Sequence, residues 1–264
     1  MARSGPKGTY SAPAVEKAFE IIEVLAQRPE GSLISEIAAD LDRSVGELFR
    51  LVIVLERLGY LRKSASTDRY SVTYKLLDMA FRATPAQDLV RAALPEMRAV
   101  ALATGQSCHF VVANGGRGLV IAREEQPGMR GFSLKVGATV DIVHSCSGQV
   151  ILAFAEPQTA QACLEAARDA GAEIDGDALA AAFSRIRAHG FDMRASPITH
   201  GVTDISYPVF GFDGAAAGAV TIPFLELIDG SQEVGLEAAR GMLERAAARI
   251  SDVLGHNMQG PPSP

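Results

Sequence analysis

The chain has 264 residues, 48% of them hydrophobic and 21% charged, with a formal net charge of −6. That length and balance describe a soluble globular protein of one or two domains and exclude a disordered or collagen-like chain. The acidic total excludes general adhesion to nucleic acid or anionic membranes by the whole surface.

Cys108, Cys146 and Cys163 lie far apart and form no CxxC, which sets aside a thiolate zinc site and a disulfide framework and points to a reducing cytoplasm. No apolar run is long enough to cross a bilayer, so no membrane partner is expected. Charge is uneven along the chain. Residues 1–83 carry 12 Lys/Arg and 11 Asp/Glu, and the remainder carry 13 and 20. Between positions 43 and 69, Arg43, Arg50, Arg57, Arg62, Lys63 and Arg69 outnumber Glu47, Glu56 and Asp68. A near-neutral small unit ahead of an acidic large one suggests two separate tasks.

Residues 1–12 are basic with Gly and Pro and no apolar core, which reads as a disordered arm and not a signal peptide. Residues 13–75 read as one domain. Val15, Ala18, Phe19, Ile22, Leu25 and Ala26 share a helical face, with Pro13 in the first turn. A second amphipathic stretch holds Leu33, Ile34, Ile37, Ala38 and Leu41, and Asp42-Arg43 makes a turn. A third runs from Val45 to Leu58 with Val45, Leu48, Leu51, Val52, Leu55 and Leu58 on one side. Ser44 to Glu47 fits a capping box, with the Glu47 carboxylate reaching back to Ser44, and Gly59 closes the helix. Two short strands, 60–63 and 69–72, flank a polar loop. Three helices and a hairpin in that order are a winged helix-turn-helix. Its third helix would offer Ser44, Gly46, Glu47, Phe49 and Arg50 to a major groove, and its wing would offer Arg62, Lys63 and Arg69 to phosphates or a minor groove. Glu47 reads better as a cap than as a base contact, because a carboxylate repels phosphate.

Residues 76–84 read as a linker helix and 85–256 as a second domain, with 257–264 a disordered tail. A helix starts at Thr84-Pro85 and ends near Gly105, with Pro95 expected to kink it. Strands are expected at 107–113 and 119–123 around Asn114-Gly115-Gly116, then two short ones within 131–144. A buried helix follows over 148–154, then helices over 158–170 and 177–188. Strands at Ile198, 202–210 and 215–222 and a closing helix over 233–254 complete an α+β domain with an antiparallel sheet.

His144-Ser145-Cys146-Ser147-Gly148 leads into the helix expected at Gln149. A helix start presents free N–H groups and the positive end of its dipole, so this end would hold the carboxylate of a small organic acid. Cys146 beside His144 also invites an enzyme reading. Residues two apart share a face only on a strand and no third orienting group is evident, so Cys146 reads as a cavity wall. The histidines show no metal-ligand spacing, and no metal or cofactor is expected.

The runs "EIAADL", "FRLVIVLERLGYL" and "YSVTYKLLDMA", followed by "FSLKVGATVDIVHSCSGQVILAF", "RIRAHGFDM" and "GVTDISYPVFGFDGAAAGAVTI", resemble the IclR family of bacterial transcriptional regulators over about residues 14–255. The resemblance implies a GAF/profilin-like effector-binding fold for the second domain. It adds Ile142, Arg194, Val202, Asp204, Thr221 and Pro223 to the cavity at Ser145 to Gly148. It also implies a double-stranded DNA operator and a homodimer or dimer of dimers joined through the first and linker helices. Ser44-Val45-Gly46-Glu47 departs from the Pro-Lys-Ser-Thr run common in the family, so no operator sequence carries over. Arg194 stands where some relatives carry an acid, which favours an anionic ligand, and Pro223 has neither N–H nor hydroxyl to offer. Two other readings stay open: a small-molecule enzyme that uses the winged domain to dimerise, and an architectural DNA protein.

Overall fold

The computed structural model describes residues 12–83, 86–126, 128, 131–229 and 231–256. The chain divides into two compact units, Met1–Thr84 and Pro85–Pro264.

The first unit begins with α1 (Pro13–Ala26), α2 (Ile34–Asp40) and α3 (Val45–Arg57). The hairpin β1 (Leu61–Lys63) and β2 (Tyr70–Val72) follows, then α4 (Lys75–Ala83). Pro13 opens α1, where its missing N–H removes no intrahelical bond. The core gathers Ile21 and Leu25 from α1, Ile37 and Ala38 from α2, Leu48, Val52 and Leu55 from α3, and Leu61 and Tyr70 from the hairpin. The buried face of α1 matches the expected one in part, since Leu25 is buried and Ala18 and Ile22 pack against this core. Val15 and Phe19 are 55% and 59% exposed, and Ile21 is buried in their place. Both stripes obey the 3.6-residue period, and packing in the three-helix core decides between them. Val45 and Leu58, at the two ends of the α3 stripe, are also exposed.

Gly59, with φ +79°, ends α3 in the left-handed region. Its N–H bonds the Glu56 carbonyl and the Tyr60 N–H bonds the Leu55 carbonyl, the paired bonds of a Schellman cap. That cap turns the chain directly into β1.

The second unit opens with α5 (Ala86–Thr104). Its strands are β3 (Cys108–Asn114), β4 (Arg117–Glu124), β5 (Thr139–Asp141), β6 (Asp192–Ala195), β7 (Val202–Phe210) and β8 (Ala216–Leu225). They form one sheet in the order β5-β4-β3-β8-β7-β6, with every pairing antiparallel. Helices α6 (Cys146–Phe154), α7 (Pro157–Asp169) and α8 (Gly176–His189) separate β5 from β6, and α9 (Leu236–Val253) follows the sheet. Side chains alternate across it. Phe110, Ile205, Val220 and Ile222 meet Met97 of α5 and Leu243 and Ile250 of α9, whereas Val111 and Ala219 meet Val150 and Ile151 of α6.

Three expectations are corrected. Within 131–144 only β5 is a strand, because residues 131–135 follow an irregular path. Ile198 lies in a bend, and the strand in that region is β6, paired with β7 in the register Arg194↔Asp204. Its charged residues Asp192 and Arg194 hid it from hydrophobic patterning. Helix α6 starts at Cys146, two residues before the expected 148, with Ser145 as its N-cap. The expected cap at Thr84-Pro85 lies outside the described residues.

Candidate nucleic-acid interface and ligand cavity

Ser44 sits at the N-cap of α3 and its hydroxyl accepts the Glu47 N–H at 3.3 Å. The Glu47 carboxylate goes elsewhere than the expected return bond. It pairs with Lys17 of α1 at 2.5 Å and with Arg43 at 3.4 Å, and Arg43 also reaches Glu20 at 3.0 Å. The bond from Lys17 is the main cause of a Glu47 carboxyl held below its ordinary range. These ion pairs fix the start of α3 against α1.

Beyond the cap, α3 presents Gly46, Phe49, Arg50 and Ile53 outward. Nothing lies near a Cβ placed at Gly46. Arg50 is exposed and pairs with no carboxylate among the described residues. The wing cations differ from one another. Arg62 donates from Nε to the Ser71 hydroxyl at 3.0 Å and stays exposed. Lys63 pairs with Asp68 at 2.8 Å, and that bond raises the Lys63 pKa. Arg69 turns back onto its own unit. Its two terminal nitrogens bond the two Glu36 oxygens at 2.9 and 3.0 Å, and one of them also donates to the Gly31 carbonyl at 3.0 Å. Glu36 further accepts the Leu33 N–H at 3.0 Å, and these bonds, the backbone one first, lower its pKa. Arg69 is thus a staple between the start of β2 and α2.

In the second unit a cavity of about 400 Å³ lies between the head of α6 and the sheet. Ser145, Cys146 and Ser147 form its helix side, and His109 of β3, Asp204 of β7 and Thr221 and Pro223 of β8 its strand side. Phe132, Leu134, Thr139, Val140, Asp141 and His144 close one rim and Ser196, Pro197 and Ile198 another.

The Ser145 hydroxyl accepts the Gly148 N–H at 3.0 Å, and the Ser145 carbonyl accepts the Gln149 N–H at 3.0 Å. The N–H groups of Cys146 and Ser147 take no acceptor among the described residues, as expected for the first turn of a helix. Asp141 organises the approach. Its Oδ1 accepts the Val143 and His144 N–H groups, and its Oδ2 is 2.9 Å from His144 Nδ1. Burial pushes the Asp141 carboxyl up, but its bonds to His144 and Val143 outweigh this and leave it below the ordinary value. On the strand side, the Ser206 and Thr221 hydroxyls bond at 2.8 Å, and burial raises the Asp204 pKa.

Four expected residues lie off this cavity. Ile142 is fully buried under α6. Gly148 is buried with its Cα against the Ile142 backbone, where an added Cβ would collide with the Ile142 carbonyl. Val202 lines a different hollow with Ala195 and Phe224. Arg194 donates to the His144 carbonyl at 3.0 Å, and its Nε lies 3.2 Å from Asp192 Oδ2 without hydrogen-bond alignment. Asp192 is 2% exposed and Arg185 holds its other oxygen at 3.1 Å. Arg194 therefore neutralises a buried acid and anchors the turn before α6.

Cys146 is 1% exposed and its thiol faces the Asp192 and Asp204 carbonyls at 3.5 and 3.6 Å. Burial holds its pKa well above the ordinary thiol value, which favours the protonated thiol. The patterning missed His109, Asp141 and His144 as wall residues. Asp141 had a readable signal, an Asp whose side chain caps the two following N–H groups. Among the described residues no group of His, Cys, Asp and Glu is placed to hold a metal, and no helix is long and apolar enough to cross a membrane.

Residues 14–65 match the IclR helix-turn-helix domain, and residues 81–252 match the family described as bacterial transcriptional regulator IclR C-terminal. The chain belongs to the IclR family. This IclR-family transcriptional regulator is 25% identical over 252 residues to the HTH-type transcriptional regulator KdgR of Escherichia coli, covering 94% of each chain. It is 26% identical over 251 residues to BhcR of Paracoccus denitrificans, covering 89% of this chain and 88% of that protein. Two solved structures share the fold. HmgR of Pseudomonas aeruginosa superposes with a TM-score of 0.71 at 23% identity, over 93% of this chain and 100% of the other. An IclR homologue from Microbacterium hydrocarbonoxydans, complexed with 4-hydroxybenzoate, superposes with a TM-score of 0.74 at 18% identity, over 92% and 100%. The relatives are DNA-binding transcriptional regulators, and the IclR chain has their α+β architecture.

Proposed function

We propose that this protein binds an operator through the outward face of α3 and that a small monocarboxylic acid in the α6 cavity modulates that binding. The DNA part rests on Arg50, an exposed cation in a capped helix that pairs with no carboxylate among the described residues, with Arg62 on the wing as a phosphate contact. The acid part rests on one observation: the open Cys146 and Ser147 N–H groups stand at a cavity to which Phe132, Leu134, Val140 and Ile198 give an apolar share of the wall. The 4-hydroxybenzoate bound to a relative of the same fold supports this ligand class. Arg194 adds nothing to it, since Asp192 and the His144 carbonyl engage its guanidinium.

Affinity for DNA from so small a unit calls for two half-sites bound together. Val15 and Phe19 on α1, Tyr74 just before α4 and Leu77 on α4 are exposed apolar side chains suited to pairing two copies, as a dimer or dimer of dimers in the cytoplasm. The acid acts through different affinities for the DNA-competent and incompetent arrangements. The test is footprinting on the promoter upstream of the protein's own gene, with and without a panel of organic acids. A footprint that an acid weakens or strengthens is the expected result. Protection spread evenly along any duplex, or unmoved by every acid, would overturn the corresponding half.

A further inference from the structure

His109 is 4% exposed in the cavity wall, its ring makes no hydrogen bond among the described residues, and its buried Nδ1 has no partner there. A buried imidazole nitrogen left so is uncommon and costly, because buried polar groups are ordinarily paired. The site has further polar character. Thr221, directly across the ladder from His109, is joined to Ser206, and Asp204 adds a carboxylate to the same wall. Among the described residues no Lys or Arg lines the cavity, and Asp141 and Asp204 already bring carboxylates to it, so the open N–H groups at the α6 head are the place for one ligand carboxylate.

Resting on the acid reading above, we infer that His109 is the specificity-determining residue of the cavity and selects a monocarboxylate that carries a hydroxyl group. A neutral imidazole has one N–H donor and one bare nitrogen acceptor. With no protein group holding Nδ1, the protein does not fix which nitrogen carries the proton. A hydroxyl serves either tautomer, since it donates to a bare nitrogen and accepts from an N–H. A keto or ether oxygen serves only one of them. Burial keeps the ring neutral, with its pKa lowered to about 4, so the contact is a hydrogen bond and not an ion pair with a second carboxylate.

The test uses the full chain and matched acids: benzoate against its three monohydroxy derivatives, and butanoate against 2- and 3-hydroxybutanoate. Calorimetry gives each Kd, for wild type, His109→Phe and His109→Gln. In wild type at least one hydroxy acid binds about tenfold tighter than its parent. In His109→Phe the hydroxy acid and its parent bind alike, whatever their common affinity, and His109→Gln keeps part of the difference. The ¹⁵N ring resonances of His109 in the wild type move with the hydroxy acid and stay with the parent, a readout that decides alone if His109→Phe does not fold. Equal binding of hydroxy acid and parent, an advantage that survives His109→Phe, or equal ring shifts would overturn the role of His109 and leave the acid cavity standing. No binding of any acid to the wild type would overturn the acid reading, and this inference with it.

Discussion

Arg69, the residue before β2, and Glu36 on α2 are joined by two parallel hydrogen bonds of 2.9 and 3.0 Å, and the same arginine holds the Gly31 carbonyl. The contact ties the wing to the second helix. A bidentate guanidinium–carboxylate pair fixes orientation in a way a lysine would not. Arg69→Ala is expected to speed amide exchange in β1 and β2 while leaving the salt dependence of DNA binding unchanged. A salt slope lowered by about one would instead mean that Arg69 neutralises a phosphate.

Arg50 and Arg62 should separate base reading from backbone attraction. Arg50→Ala is expected to cost about 1–3 kcal/mol against the preferred operator and much less against unrelated duplex. Arg62→Ala should weaken both alike and lower the salt slope by about one. Titrations of both variants at two or more salt concentrations check this. An Arg50→Ala protein with full operator preference would remove α3 from the groove.

Gly148→Val probes the close approach beneath α6. Its side chain would meet backbone, which cannot swing aside as a flexible side chain can. Overpacking of that kind costs about 1–3 kcal/mol or more. The denaturation midpoint of the second unit should fall, and any loss of acid binding should accompany that fall. Loss of ligand at unchanged stability would place Gly148 in the cavity wall.

Arg194→Ala leaves Asp192, 2% exposed, with Arg185 as its remaining cation and frees the His144 carbonyl. Stripping one partner from a buried charge is strongly destabilising, here by about 2 kcal/mol or more. Arg194→Lys should recover only part of this, because one ammonium cannot span Asp192 and the carbonyl together. Urea denaturation of the two variants provides the comparison.

His109 sets a stability change with pH. Its pKa is lowered by burial from 6.5 to about 4 in the folded chain. Above the unfolded value both states are neutral and the residue contributes no pH dependence. As pH falls from 6.5 towards 4 the unfolded chain takes up a proton that the folded one refuses, so stability is lost across that window and the loss levels off below it. The full effect is on the order of 3 kcal/mol. Denaturation at pH 7 and pH 5 should show a loss for the wild type that is smaller in His109→Phe. Equal losses would mean that the ring is not buried as described.

What the sequence made legible follows from periodicity and capping. Ser44, Gly59 and the apolar repeats of α3 are local signals, and they place that helix to within a residue of its observed end. The face of α1 was harder, because two adjacent stripes satisfy the same period and tertiary packing chose between them. Strand β6 escaped notice because Asp192 and Arg194 read as surface charges, and only the fold buries Asp192 between Arg194 and Arg185. The same limit applies to the cavity. Ser145 to Ser147 and Asp141 belong to one local segment, but His109 becomes a wall residue only through a sheet that sets it opposite Thr221.

In β3 and β8, Phe110, Val220 and Ile222 enter the layer shared with α5 and α9, while His109 and Thr221 between them turn to the cavity. Each strand therefore interleaves two independent alphabets, one for solidity and one for chemical taste. Substitutions at the second set can accumulate singly without disturbing the first, whereas sliding a strand by one step would exchange both at once. A lineage built on this sheet is free to acquire new tastes by point replacement, on a scaffold that stays in register.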